Sequence, residues 1–471
     1  VLKDPIQTDA GPVLGTILGQ TGKEVRVYRG IPYAAPPIGK LRWKSPQPVE
    51  PWDEVRECVE FKDSPVQLET GFVPGYKSED CLYLNVLTPA RSDKERLPVM
   101  VWFHGGGYSI GAGNQPLYNT QYLPQHGAVL VSVNHRLGPI GLLALPALSK
   151  ESPDGVSGNY LFLDLLASLQ WVQRNIAAFG GDPTNVTIFG ESGGGAKVDA
   201  LMASPLAKSL FHRAVCQSGT NGPLQVTSLA EAESVGERLA AKMDISSDNL
   251  RALRAVPAVH VVQAALAVTQ EMAGSVFGGA GTNVTDKLAV DGWFMPEPPW
   301  KVFAERKQND VPFIVVVNLG ELLAKKSFLV APQMLTGYLY RLQAAEKVGG
   351  KGYAAIFSQV PSNWKADGVL ANHGLEVPYV FGYLPELKEK FFFETFEKPS
   401  GARRSDPGLT EEDGKVAEAM MTMWIQFAKK GAPSVKGLVD WPAWRAESDQ
   451  YLDIAWPLQV KPGYSKVVPG R

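Results

Sequence analysis

Two stretches of this chain of 471 residues bring together residue types suited to nucleophilic chemistry. In "NVTIFGESGGGAKVDA", Ser192 stands between Gly190 and Gly194, directly after a short apolar run. A sharp strand-to-helix turn lifts a serine hydroxyl clear of a sheet, and only small residues fit two places before and two places after it. That is the pattern of a nucleophile elbow. The amide of Gly193 would then face a developing oxyanion, at the positive end of the following helix. In "VMVWFHGGGYS", a strand ends in His104-Gly105-Gly106-Gly107, where missing side chains let backbone amides approach a substrate oxygen. Triple glycine also makes flexible turns; two strand-ending glycine motifs in this order favour an acyl-transfer site.

A serine hydroxyl needs a base, and an elbow site draws it from further along the chain. Six histidines are available. His104, His126 and His135 precede Ser192, His212 follows it closely, and His260 sits in an apolar helical pattern. His373, in "ANHGLEVPYVFG", remains. A carboxylate at a strand end between serine and histidine must orient the imidazole and stabilise its cation. Glu321, just past "VPFIVVVN", fits that place; Asp291, in "LAVDGWF", is the rival.

The elements that must position these groups alternate. "VMVWFHGGG", "AVLVSVNHR" and "NVTIFG" read as buried strands, and "LFLDLLASLQWVQRNIAAFGG" reads as an amphipathic helix ended by glycines. Strand, helix, strand at this spacing implies parallel pairing. The expected fold class is α/β: a large, mostly parallel twisted sheet with helices on both faces. About residues 223–310 turn helical and read as a cap or insert within a single domain spanning 1–471.

Composition narrows the partners. With 46 basic and 48 acidic residues the net charge is -2, which gives no electrostatic footprint for nucleic acid or an anionic membrane. No apolar run approaches the roughly 18 residues of a membrane span, so a soluble globule is expected. The opening "VLKDPIQTDAGPVLG" carries neither a methionine nor a signal-like apolar segment, the look of a trimmed or processed start. Either a cytoplasmic location or a secreted or periplasmic one after signal removal is compatible with it. Three cysteines, Cys58, Cys81 and Cys216, are too few for a disulfide scaffold, and Cys216 reads as a buried inert thiol. Cys-x-x-Cys and His-Glu-x-x-His are both missing, so neither a metal nor another cofactor is expected.

From "YRGIPYAAPPIGKLRW" through "SEDCLYLNV", "HGGGYSIGAG", "VNHRLGPIGLL", "GGDPTNVTIFGESGGG" and "FHRAVCQSG" to "WIQFAKKGAP", the chain resembles the type-B carboxylesterase and cholinesterase family of α/β-hydrolases. The resemblance implies Ser192 as nucleophile, Glu321 as acid and His373 as base, with Gly106, Gly107 and Gly193 as oxyanion donors. It also implies buried ion pairs Arg42–Glu79 and Arg136–Asp164, a Ser218 hydroxyl near the acid, and a small-molecule ester as substrate. Tyr108, Phe72 and Leu224 are the candidate residues of the substrate pocket. Two departures stand out. The acid motif reads Asn318-Leu319-Gly320-Glu321-Leu322 where the family has Asn-x-Asp-Glu-Gly, and the cysteine that would pair with Cys81 is displaced to Cys58. Competing readings are amide, carbamate or thioester cleavage, a lyase reaction at the same nucleophile, or a non-catalytic binding or adhesion protein on the same fold.

Overall fold

The computed structural model describes residues 4–69, 73, 75–273, 283–323, 332–385 and 406–467. Its centre is one 11-stranded sheet. In chain order the strands are β1 (Thr16–Leu18), β2 (Val25–Pro32), β3 (Tyr83–Thr88), β4 (Leu97–Phe103), β5 (Val129–Val133), β6 (Gly181–Glu191), β7 (Arg213–Gln217), β8 (Phe313–Asn318), β9 (Gly352–Phe357), β10 (Gln450–Ile454) and β11 (Gln459–Pro462). They lie side by side as β11-β10-β9-β8-β7-β6-β4-β5-β3-β2-β1. From β10 to β5 all neighbours are parallel. The flanks, β10 with β11 and β5 with β3, β2 and β1, are antiparallel. Sequence periodicity foresees the parallel centre and not these borders, because an apolar run buried on both faces reads alike in either direction.

Strand β4 shows why the centre is continuous in apolar residues. Val99, Val101 and Phe103 pack into one core cluster, and Met100 and Trp102 into the other, on the opposite face. Successive side chains alternate across a strand, so both faces must be apolar when both are covered by helices. The covering helices include α1 (Tyr160–Asn175) and α2 (Gly193–Ala203) on the first face, and α6 (Glu411–Lys430), with Met420, Trp424 and Phe427, on the second. The region expected to be helical does contain α3 (Leu229–Lys242) and α4 (Ala258–Ala273), but short strands at Val226–Ser228 and Leu288–Val290 pair parallel within it. Among the described residues no helix is long and apolar enough to cross a membrane.

The site's place follows from strand order. The chain passes from β4 to β5 on one side and returns to β6 on the other. Such a reversal opens a crevice at the carboxyl ends of the strands. The segments after β4, β6 and β8 therefore converge there.

Candidate active site

Ser192 is the single residue between β6 and α2, and its backbone sits at φ 56, ψ -124. Holding a residue with a Cβ there costs about 1–3 kcal/mol, a strain that persists only where surroundings over-determine it. They do so sterically. A Cβ on Gly190 would lie 2.5 Å from the Gly194 carbonyl carbon, and one on Gly194 would lie 2.0 Å from Phe103 O. The Ser192 amide is anchored across the sheet on Gln217 O at 2.8 Å.

Facing the elbow is the loop after β4. Gly106 and Gly107 adopt φ 86 and 62, which side chains rarely tolerate. A Cβ on Gly193 would fall 2.1 Å from Gly107 O. Backbone meets backbone here without side chains between. Among the described residues the amides of Gly106, Gly107 and Gly193 donate no hydrogen bond.

Glu321 lies on the short helix α5 (Leu319–Leu323), immediately after β8. Its Oε1 accepts a hydrogen bond from His373 Nδ1. Its Oε2 accepts from Ser218 Oγ and from the Asn318 amide, each at 2.8 Å. The altered acid motif thus keeps its support, and Gly320 is required in it: a Cβ there would lie 2.6 Å from Ala371 O, in the segment that carries His373. Asp291, the rival acid, is spent elsewhere, accepting from the Trp293 and Met295 amides and from Asn159 Nδ2 at 2.9 Å each.

Sequence reasoning missed a second carboxylate on the imidazole. His373 Nε2 lies 3.2 Å from Glu191 Oε1, while Ser192 Oγ has no hydrogen-bond partner among the described residues. Burial disfavours the imidazolium, but Glu191 and then Glu321 outweigh it and hold the His373 pKa up at about 10. Burial also pushes Glu191 up, to about 8, with His373 opposing. The two titrate as one unit, because a proton on Glu191 removes one of the charges that favour the imidazolium. A third buried carboxylate, Glu376, accepts from Asn318 Nδ2 at 2.6 Å and from Gln217 Nε2 at 3.2 Å; burial raises its pKa, and Glu321 adds to the rise. Nothing in "GES" or "HGLEVP" marks these acids as partners of one imidazole. Only their burial does, and burial is set by distant elements.

The chain is similar to known proteins along nearly its whole length. The sequence profile of the carboxylesterase family matches residues 3–336 and 323–467. The chain belongs to the carboxylesterase family. Para-nitrobenzyl esterase of Bacillus subtilis is 32% identical, over 93% of this chain and 93% of its own. Fumonisin B1 esterase of Sphingopyxis macrogoltabida is 34% identical, over 91% of this chain and 83% of its own. A thermophilic para-nitrobenzyl esterase structure superposes with a TM-score of 0.82 at 28% identity, covering 99% of each chain. This carboxylesterase is accordingly a carboxylic ester hydrolase with the α/β-hydrolase fold.

The remaining expected residues fall as follows. Arg136 grips Asp164 through Nε at 2.9 Å and Nη2 at 2.6 Å, with both side chains fully buried. Arg42 meets Glu79 through Nε at 2.6 Å. Tyr108 is buried, its ring edge-on to Phe162 at 5.3 Å and its hydroxyl bonded to Asn221, so it anchors the glycine loop after β4 to the core. Leu224 is half exposed, and Phe72 lies outside the described residues. All three cysteines are free and buried; burial pushes Cys58 up to about 11, which keeps it an unreactive thiol.

Proposed function

We propose that this carboxylesterase cleaves small-molecule carboxylic esters through an acyl-enzyme on Ser192, with His373 as base and Glu321 as the orienting acid. The observation that carries the reading is the conjunction of a free Ser192 hydroxyl on a strained elbow with an imidazole fixed to Glu321 by its other nitrogen. Bonding of Nδ1–H to Glu321 leaves Nε2 as the atom that handles protons. In this scheme the ring must turn Nε2 from Glu191 toward Ser192, the next residue in the chain. Catalytic hydrogen bonds of this kind commonly tighten only once substrate is bound. Ser192 Oγ then attacks the ester carbonyl while Nε2 takes its proton. The amides of Gly106, Gly107 and Gly193 hold the tetrahedral oxyanion, each such donor contributing about 10²–10³ in rate. The imidazolium next protonates the departing alcohol, and water repeats the cycle to release the acid. The whole chain serves as one domain in this scheme, with about 223–310 as its cap.

Against a non-catalytic reading stands the strain at Ser192, which a binding protein has no reason to retain. The test is Ser192→Ala assayed with p-nitrophenyl esters, where turnover should fall by about six orders of magnitude. An organophosphate should label Ser192 in the parent. Retention of most activity by the variant would overturn the mechanism.

A further inference from the structure

Lys197 takes no part in the proton transfers above, yet it occupies a costly place. It lies on α2 five residues after Ser192, with no solvent exposure, and burial pulls its pKa down to about 7 with Glu191 opposing. Its ammonium donates to His104 O at 2.8 Å. His104 is the last residue before the glycines of the oxyanion loop, and its own Nδ1 donates to Gly105 O at 2.9 Å.

These two bonds act on consecutive peptide planes. In a trans peptide the carbonyl and the following amide point in opposite directions. The bond from Lys197 fixes the His104–Gly105 plane, and the bond from the His104 ring fixes the Gly105–Gly106 plane, which carries the Gly106 N–H. The His104 ring is braced in turn by stacking on His135 at 4.6 Å with planes 2° apart. Burial, and after it Lys197, keeps both imidazoles from protonating, so each retains a neutral ring for that stack.

The far end of the loop is tied to the same helix. The Tyr108 hydroxyl bonds to Asn221, whose side-chain amide donates to Ala196 O at 2.6 Å and to Asp199 Oδ2 at 3.1 Å. Three glycines in succession have no intrinsic reason to hold one conformation. Helix α2 holds them at both ends, by Lys197 before and by Ala196 and Asp199 after, and that helix begins at the nucleophile.

We propose that Lys197 is a positioning residue of the oxyanion hole, clamping the His104–Gly105 peptide to the nucleophile helix so that the Gly106 and Gly107 amides keep register with Ser192. The proposal rests on the mechanism given above and extends it to a residue that never touches substrate. Lysine suits the task because a donor at the end of a long stem crosses from helix to loop while its methylenes fill the core between them.

The experiment compares Lys197→Met, which fills the space without a donor, with Lys197→Gln, which restores a neutral donor. Kinetics on a p-nitrophenyl ester are paired with inhibition by an aryl trifluoromethyl ketone, whose serine adduct places an oxyanion in the hole. Lys197→Met should lose about 10²-fold in kcat with KM changed less than about threefold, as expected for amides displaced by roughly 1 Å. Affinity for the ketone should fall in parallel, and Lys197→Gln should recover part of both losses. Should Lys197→Met fail to fold, Lys197→Ala supplies the donor-less comparison. A folded donor-less variant with parental kcat and ketone affinity overturns the proposal. So does a loss confined to KM, or a Lys197→Gln no better than the donor-less protein. Ser192→Ala run alongside separates the two levels: if it stays active the mechanism itself is wrong, and if it is inactive while Lys197→Met is unimpaired only the clamp is wrong.

Discussion

The two halves of the site are positioned by different physics. On the nucleophile side, Ser192, Gly193 and the Gly106–Gly107 turn are held by exclusion: backbone atoms stand where any added Cβ would go, 2.0 Å away at Gly194 and 2.1 Å at Gly193. On the acid–base side, Glu321 and His373 sit on short segments after β8 and β9, held by hydrogen bonds from the Ser218 hydroxyl and the Asn318 backbone amide and by the charges of Glu191 and Glu376. Steric exclusion gives a position that either exists or fails. Hydrogen bonds and charge give one that can be tuned by degrees.

Substitutions on either side test that contrast. The largest effect is expected from Glu321→Gln, which leaves the shape intact but disturbs the tautomer: kcat should fall about 10⁴-fold with little change in thermal unfolding. A loss below tenfold would shift the orienting role to another carboxylate. Gly194→Ala should behave as a break, because a Cβ 2.0 Å from Phe103 O has only backbone to displace. The elbow must shift by about 1 Å, with roughly a hundredfold loss in kcat/KM and a lowered melting temperature. An unaltered melting curve with full activity would show that the turn has slack.

Ser218→Ala should be graded, removing one of the bonds that hold Glu321 and lowering kcat/KM about twentyfold, within the roughly 1.5–3 kcal/mol of a hydrogen bond to a charged group. The smallest effect on maximal rate is expected from Glu191→Gln, which is read from the pH profile. The reaction needs a neutral imidazole, so activity is lost as pH falls through the apparent His373 pKa. Glu191 as an anion favours the imidazolium and raises that pKa; its removal lowers it. The acidic limb of kcat/KM should move to lower pH, with the optimum rate changed less than about threefold. A limb that stays put or rises would remove Glu191 from the titrating unit.

The same contrast explains what was legible in the sequence. Exclusion is written in glycines, so Gly190, Gly194 and the His104-Gly105-Gly106-Gly107 run mark their positions directly. Glu321 and His373 are found by what surrounds them in order: a strand end for one, and the lack of another suitably placed histidine for the other. Glu191, Glu376 and Lys197 carry no such mark. Each is an ordinary polar residue whose importance comes from burial against elements about 60 to 180 residues away, a property of the packed molecule and not of local pattern. The parallel strands of the centre were readable from apolar runs, whereas the antiparallel borders were not, since strand direction is decided by connections.

Those borders have a consequence of their own. A broad open sheet offers two rows of unpaired amides and carbonyls that invite another chain to add on. Here one border is β1, three residues long, and the other is β11, which is largely solvent-facing and ends in Lys461 and Pro462. A short strand gives a newcomer little to zip onto, while proline withholds a donor and lysine carries charge into the seam. Edge protection of this kind is lodged at the two ends of the sheet, each five strands away from β6, the strand that leads into Ser192.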